Sequence, residues 1–358
     1  MYFAIIGNHY EITLKELQSL HPKNFQKLWD HLIIFDTNEP QRLPHIASLI
    51  KWGEVLPFSE IEKILKEEKT GDKEDSNNRK RILGIADKVM GINFKKKYSM
   101  KRFKQVDILH TDMEVKNKGI ELIKIKGEFW IVQGYQNIKL YEVIDFEKPG
   151  RSMQVGMMPA KLTHTLLNIA LWKINSWNNT PLIFDPFCWT GTTGFLANAL
   201  GYHFIGSDIK LNLALQNQQR RNLKHNNNKN LTFDFFEQDI SKPLNTNFSE
   251  LSHQNTLIVT EGWLGPVIKQ TTTAEEITEY QRRVKNLYLQ FIQTITDFFP
   301  KKIPMVFTIP IYIDQENTIE QYITDLTQKL WRKMESIDEI YKREKQKVGR
   351  QIIILQWN

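Results

Sequence analysis

The second half of the chain alternates short apolar stretches with helical stretches of ten or more residues. This alternation is typical of parallel strands joined by helices that cover the faces of one sheet. A helix is predicted over 161–176, and the strands that follow it are predicted at 182–184, 203–207, 233–236, 256–260, 303–309 and 351–356. The pattern therefore predicts an α/β fold with a Rossmann-like domain over 161–358.

The first 65 residues have a different pattern, which predicts a small α+β domain. Thr13 is the expected N-cap of a helix that runs to Leu20, and Glu16 would complete a capping box three residues later. The other predicted elements are strands at 3–6, 32–35 and 52–56 and a helix near 43–51.

A second small domain is predicted over 66–145. It opens with a strongly polar stretch, 66–80, that is typical of a solvated boundary loop. Residues 121–144 alternate between apolar and polar, which predicts a hairpin that turns at Gly127. The next segment, 146–160, contains two prolines and two glycines and is predicted to be a linker.

Composition limits the classes of protein to which the chain can belong. Of 358 residues, 41% are hydrophobic and 25% are charged, as in ordinary globular proteins. The single cysteine, Cys188, excludes an internal disulfide and a cysteine-rich zinc module, and the histidines are scattered, so we expect no metal. No apolar run reaches the length of a signal peptide or membrane span. We expect a cytoplasmic protein with no membrane partner.

The charge balance adds a candidate polyanion-binding face. Lys and Arg number 48 against 41 Asp and Glu, a formal charge of +7. Between Asp87 and Asp107 there are seven basic residues, no acid and several aromatic residues, a composition that suits RNA phosphates. The alternative is a solvated helix face with core aromatics. The residues predicted to contact RNA are Lys95, Lys96, Lys97, Lys101, Arg102 and Lys104.

The clearest chemical signal follows the first strand of the second half. That strand ends at Asp185, a turn of small residues and a helix come next, and the second strand ends at Asp208, 23 residues on. In a doubly wound sheet, ligands bind at the carboxyl ends of strands and at helix N-termini, and an acid about 20 residues after the first turn can hold a ribose.

The turn departs from a dinucleotide fingerprint. Gly191 and Gly194 fit its second and third glycines, but Trp189 takes the place of the first. Asp185 would repel a pyrophosphate and attract the ammonium of a methionine moiety, which favours S-adenosylmethionine over NAD, and Asp239 is expected to accept from the adenine amine. The predicted cofactor-binding residues are Asp185, Phe187, Cys188, Thr190, Gly191, Thr192, Thr193, Asp208, Ile209, Asp239 and Ile240.

DPFCWTGTTG followed by GYHFIGSDIK resembles the methyltransferase domain of the THUMP-containing tRNA guanine-N2 methyltransferases that act near position ten of tRNA. The segment 145–168, with its G-x-x-P-x-K-L pattern, is similar to that family's connector, and parts of 1–65 are similar to its ferredoxin-like N-terminal domain. The resemblance implies a class I methyltransferase domain, a THUMP region over 66–145, S-adenosylmethionine as cofactor, and tRNA as substrate.

Two departures from the family pattern concern the site itself. The family has glycine where this chain has Trp189, which would cost about 1–2 kcal/mol if the turn needs a positive φ. One hypothesis is a stop codon that encodes glycine but is translated as tryptophan. Relatives also carry Asp-Pro-Pro-Tyr after the fourth strand, where this chain has Thr260-Glu261-Gly262-Trp263. Glu261 is predicted to orient the target amine and Trp263 to stack on a flipped base.

Three other functions remain open on the sequence alone. A non-catalytic RNA-binding protein would carry Trp189 as the mark of a degenerate cofactor site. An amino-methyltransferase acting on DNA or protein would share the cofactor residues. A nicotinamide oxidoreductase is disfavoured by Asp185 and by the missing first glycine.

Overall fold

The computed structural model describes residues 1–67, 82–97, 102–147, 157–173, 180–212, 214–215, 230–245, 248, 251, 255–299, 303–313, 315–317, 319–330, 333–343 and 346–356. The chain divides into two compact units, Met1–Asn137 and Ile138–Asn358. No helix within these described ranges combines the length and apolar character needed to cross a membrane.

The first unit is α+β, as predicted, and holds two sheets. One is antiparallel, with strand order β2-β3-β1-β4-β9, and the other is mixed, with order β6-β5-β7-β8. Its strands are β1 (Tyr2–Ile6), β2 (Lys23–Trp29), β3 (Leu32–Asp36), β4 (Leu49–Glu54), β5 (Ile82–Ile85), β6 (Arg102–Gln105), β7 (Gly119–Ile125), β8 (Glu128–Ile131) and β9 (Gly134–Tyr135). Its helices are α1 (Tyr10–Leu17), α2 (Phe58–Glu67), α3 (Lys88–Lys97) and α4 (Met113–Lys118), with 3₁₀ segments at Gln18–Leu20 and Pro40–His45.

Two local predictions for this unit are wrong. Helix α1 begins at Tyr10, and the Thr13 hydroxyl donates to the His9 carbonyl oxygen at 2.6 Å instead of capping the helix. Glu16 is buried and accepts from the backbone N–H groups of Ala47 and Ser48 at 2.6 and 3.0 Å. The helix expected near 43–51 is a 3₁₀ segment followed by β4, because pairing with β1 along the sheet overrides the local pattern.

A buried ion pair joins the two sheets of this unit. Lys51 on β4 is fully buried and donates to Glu121 on β7 at 2.5 Å and to the carbonyl oxygen of Asp107 at 2.7 Å. The hydroxyl of Tyr135 on β9 donates to the other Glu121 oxygen at 3.0 Å. Burial raises the pKa of Glu121, and Lys51 opposes that shift. In the antiparallel sheet, β4 also pairs with β9.

The second unit is built on one seven-stranded sheet with the order β12-β11-β10-β13-β14-β16-β15. Its first five strands are parallel, β16 runs antiparallel to β14, and β15 runs antiparallel to β16. The strands are β10 (Leu182–Asp185), β11 (His203–Asp208), β12 (Phe233–Glu237), β13 (Thr256–Thr260), β14 (Met305–Tyr312), β15 (Lys333–Ser336) and β16 (Val348–Gln356). The helices are α5 (Ile138–Glu142), α6 (Ala160–Lys173), α7 (Thr192–Ala199), α8 (Ala274–Phe298) and α9 (Ile319–Leu330), with a π-helical turn at Val143–Glu147. The predicted Rossmann-like α/β fold is confirmed.

The strand order creates a switch point between β10 and β13. The chain runs outward from β10 to β11 and β12, and then returns to the other side of β10 to form β13 and β14. Connections that leave in opposite directions open a crevice at the carboxyl ends of the strands, where ligands bind in such sheets. The sheet thus places the ends of β10 to β13 around one crevice.

Helix α8 forms part of the wall of that crevice. Thr273 caps it through a capping box with Glu276. Its buried side chains recur at helical spacing and pack on the sheet core: Val284, Tyr288, Phe291, Ile292 and Ile295. Arg282 and Arg283, just before the first of these, are exposed.

Candidate ligand-binding site at the strand ends

A cavity of about 920 Å³ lies at the carboxyl ends of β10 to β13, within the second unit. It brings together both predicted catalytic residues and all the predicted cofactor residues except Gly191, which lies in the turn beside the cavity. The predicted residues that line it are Asp185, Phe187, Cys188, Thr190, Thr192, Thr193, Asp208, Ile209, Asp239, Ile240, Glu261 and Trp263.

Asp185 is the most deeply buried acid of the cavity. It is 3% exposed, and its carboxylate accepts from the backbone N–H of Phe187 at 3.1 Å and from the hydroxyls of Thr193 and Thr260. Burial raises its pKa from 3.8 to about 6, although these hydrogen bonds oppose the shift. A cationic ligand group would offset the remaining desolvation of the carboxylate.

The turn after Asp185 is tight and carries strain at one residue. Gly191 has φ 75°, its N–H donates to the Cys188 carbonyl oxygen at 2.6 Å, and a Cβ there would lie 3.0 Å from the Phe235 ring. Trp189 also adopts a positive φ, 42°. The left-handed region is unfavourable for a residue with a Cβ, so the turn needs the conformational freedom that glycine supplies at position 189.

The indole of Trp189 adds a second unfavourable feature. Its Nε1–H is buried and has no hydrogen-bond partner among the residues that the structure describes. A buried donor left unpaired costs roughly 1–3 kcal/mol. Trp189 also lines the cavity.

Asp208 is held at the end of β11 by the same turn. One carboxylate oxygen accepts from the Trp189 N–H and the other from the Lys210 N–H, both at 3.1 Å. Burial raises its pKa, and the neighbouring Ile209 is 61% exposed at the cavity rim. The Ile209 N–H is a third backbone donor to this carboxylate, which is therefore fixed in direction and keeps lone-pair capacity for a ligand hydroxyl.

Asp239 lies two residues beyond β12 and has a different environment. Its Oδ1 accepts from both the N–H and the hydroxyl of Ser241, at 3.0 and 2.6 Å, and Lys242 lies 3.6 Å away. The Ser241 hydroxyl is the main reason that the pKa of Asp239 is lowered. Asp239 is thus an ionised acceptor at the third strand end.

Glu261 follows β13 and is held by a residue that the sequence analysis missed. The Nε–H of Arg350 on β16 donates to Glu261 Oε1, and Arg350 is only 3% exposed. The Glu261 backbone carbonyl accepts from the hydroxyls of Thr308 and Tyr288, at 2.6 and 3.3 Å. The one available sequence signal for this arrangement was that Arg350 is the single charged residue of β16.

Trp263 stands beside a second arginine. The guanidinium carbon of Arg283 on α8 lies 5.5 Å from the centroid of the Trp263 ring, within cation–π distance. Trp263 is partly buried against the sheet core, so it presents a fixed ring to the cavity. The site thus combines four carboxylates at successive strand ends with an aromatic ring and bases from α8 and β16.

The predicted RNA-contact residues lie in the first unit and are largely paired with acids. Lys95 and Lys96 are exposed at the end of α3, whereas Lys97 lies 3.0 Å from Glu62. Arg102 forms an ion pair with Glu114, and Lys104 contacts Asp112 and Glu114 at 2.6 and 3.6 Å. Lys101 lies outside the described residues. Acids from α4 and its N-cap therefore offset part of the charge that the sequence concentrates here.

Comparison with known proteins gives distant similarities only. No family model and no curated protein matches the chain. TrmN from Thermus thermophilus is similar over 100% of this chain and 99% of that chain, at 11% identity and a TM-score of 0.47. Magnesium protoporphyrin IX methyltransferase from Synechocystis PCC 6803 is similar over 62% and 96%, at 11% and 0.36. An rRNA methylase from Streptococcus thermophilus is similar over 57% and 98%, at 14% and 0.33. At these TM-scores the similarities support no functional conclusion, and the function is inferred from the residues of this chain.

Replacement of Trp189 by Gly should give a more stable protein than replacement by Ala. Both variants remove the indole, but only Gly adopts φ 42° without strain. We expect Trp189→Gly to exceed Trp189→Ala by about 1 kcal/mol in the free energy of urea unfolding. At an ordinary helix or strand position the order is reversed, so a more stable Ala variant would show that residue 189 is not strained.

The buried Asp185 should make stability fall with rising pH. Because its pKa is about 6 in the folded protein and about 3.8 unfolded, the folded state retains a proton between these values that the unfolded state loses. The penalty is absent below pH 3.8 and complete above pH 6. Asp185→Asn, which cannot ionise, should gain roughly 3 kcal/mol on wild type between pH 4 and pH 8 in denaturant unfolding.

Asp239→Asn is the control, because its stability relative to wild type should change with pH in the opposite direction. The pKa of Asp239 is lowered in the folded protein, so its contribution to stability is present above the unfolded pKa and is lost as the pH falls. Its variant should lose stability relative to wild type as the pH rises. If the stability of the two variants relative to wild type changes with pH in the same way, Asp185 is not a destabilising buried acid.

Proposed function

We propose that the chain is a cytoplasmic S-adenosylmethionine-dependent RNA methyltransferase that methylates the exocyclic N2 amine of a guanosine in tRNA. The observation that carries the proposal is the set of acids that follow β10, β11, β12 and β13 and line one cavity at the switch point. The sulfonium cofactor, when bound, supplies an electrophilic methyl group.

The first three acids suit the three polar parts of that cofactor. Asp185 is buried and lacks a cationic partner in the described part of the chain, so an ammonium would satisfy it. Asp208 is oriented to accept from ribose hydroxyls, and Asp239 from the adenine amine. A pyrophosphate would meet repulsion from Asp185 and Asp208, which disfavours a dinucleotide.

Glu261 and Trp263 suit the other reactant, a neutral amine on a flat ring. Arg350 holds the Glu261 carboxylate in one orientation. An ionised carboxylate can accept from the amine N–H, direct the nitrogen lone pair and stabilise the positive charge that develops there. Trp263 offers a ring on which a base turned out of its helix can stack.

The choice of tRNA and of the N2 amine rests on the sequence motifs and on the basic residues of the first unit. Lys95 and Lys96 keep exposed charges there, which suits phosphate contacts. A second candidate function has its own observation: the strained Trp189 in the cavity favours a non-catalytic RNA-binding protein whose cofactor site is blocked.

One experiment separates these two functions. Purified protein is incubated with radiolabelled S-adenosylmethionine and bulk tRNA, and the nucleosides are analysed by mass spectrometry; cofactor binding is measured by calorimetry. We expect binding and N2-methylguanosine. Binding of tRNA without binding of the cofactor would favour the non-catalytic protein, and restoration of cofactor binding by Trp189→Gly would assign the block to the indole.

Asp208→Ala should weaken S-adenosylmethionine binding by roughly 1–3 kcal/mol, the value of hydrogen bonds to a charged group. Affinity for tRNA should be nearly unchanged. Glu237→Ala is the matched control, because Glu237 ends the adjacent strand β12 but is not among the cavity-lining residues. Equal cofactor affinities for both variants would remove Asp208 from the site.

Glu261→Gln should lower the single-turnover rate at least tenfold to a hundredfold, equivalent to about 1.4–2.7 kcal/mol. The variant keeps one acceptor and the backbone carbonyl that Thr308 and Tyr288 use, but it loses the charge that faces the amine. Cofactor and tRNA affinities should stay within a few-fold of wild type, which also checks the fold. A wild-type rate on a methylated tRNA would shift the role to another acid, with Asp239 next.

A further inference from the structure

The two sides of the cavity differ in charge. Asp185, Asp208 and Asp239 follow strands β10 to β12, on one side of the switch point. Lys210, next to Asp208, also lines this side, whereas on the other side α8, β16 and the residue before β16 contribute the basic lining residues Arg283, Arg350 and Lys347. A ligand that spans the cavity therefore meets mostly acids at one end and, at the other, three bases together with Glu261 and Trp263.

Arg350 already pairs with a carboxylate, whereas Arg283 and Lys347 do not. Arg350 is buried and donates to Glu261. Arg283 and Lys347 are exposed, and neither forms an ion pair with a carboxylate in the described part of the chain. The acid one turn before Arg283 is Glu279, and Arg282 binds it through two 2.7 Å hydrogen bonds. Two positive charges at the cavity rim are thus available to an anion.

The position of Arg283 over Trp263 adds a geometric argument. A guanidinium near an aromatic face keeps its N–H donors directed outward in the plane of the group, where they can bind a phosphate. Single-stranded nucleic acid is bound by this combination of a stacking ring and adjacent cations. A nucleotide whose base reaches Trp263 would bring its own phosphate to this side of the cavity.

We infer that Arg283 and Lys347 form an anion subsite for the backbone phosphate of the nucleotide whose base enters the cavity. The inference rests on the proposed function and names the positioning residues for its RNA substrate. A phosphate held here fixes the flipped nucleotide against slipping back into its helix, so the pair acts on substrate binding and orientation. The carboxylate of the cofactor's methionine moiety is the other anion that these bases could hold.

The test compares two adjacent arginines. Arg283→Ala and Lys347→Ala, singly and together, are set against Arg282→Ala, which removes the same charge from the same helix outside the cavity. For each variant, we measure the salt dependence of tRNA binding, the KM and kcat for tRNA, and the cofactor affinity. Arg283→Lys keeps the charge and loses the planar fork.

The expected results follow from counterion release. Each of Arg283→Ala and Lys347→Ala should reduce the slope of log K against log salt by about 0.7–0.9, and the double variant by about twice that. The KM for tRNA should rise about tenfold for the double variant. Arg282→Ala should keep the wild-type KM and slope, and Arg283→Lys should recover the wild-type slope. Cofactor affinity should be unchanged in every variant.

Three results would overturn the inference: equal slopes for Arg282→Ala and Arg283→Ala, a loss of cofactor affinity in place of tRNA affinity, or no binding of tRNA by the wild type. The binding slope is measured whether or not the wild type methylates. A wild type that binds tRNA with the expected slopes but transfers no methyl group refutes the proposed activity and leaves the subsite standing. Methylation with unchanged slopes refutes the subsite alone.

Discussion

The buried carboxylate of Asp185 is the interaction around which the second unit is arranged. It accepts from the turn that follows β10, from Thr193 in the first turn of α7 and from Thr260 at the end of β13. The contact with Thr260 connects β10 to β13, the two strands that flank the switch point of the sheet. The acid is buried despite the electrostatic penalty, and at neutral pH a cationic ligand would remove what remains of it.

The antiparallel strand β16 gives the site its second half. By folding back beside β14, it brings Arg350 behind Glu261 and Lys347 to the cavity rim. A purely parallel sheet would present only the strand ends and their connecting loops to this crevice. The pairing with Arg350 also holds the Glu261 carboxylate in a fixed orientation, since a charge-assisted hydrogen bond to a guanidinium is directional.

The sequence predicted the features that depend on short-range pattern. The alternation of strands and helices located every parallel strand, and therefore the acids at 185, 208, 239 and 261. It did not predict contacts between residues far apart in the chain, such as Arg350 with Glu261 or Lys51 with Glu121. The predicted capping box failed for the same reason, because Glu16 binds the backbone 31 residues away. Local pattern predicts elements, whereas tertiary pairing decides where polar side chains go.

The ion pair between Lys51 and Glu121 has a consequence for the history of the chain. Replacing either residue alone leaves a charge sealed between two sheets, which is far more harmful than losing both. Evolution can therefore leave this arrangement only through paired change, for example to two apolar side chains of similar volume. In a set of related sequences, we expect positions 51 and 121 to covary, and that covariation would identify relatives in which the two sheets are joined in the same way.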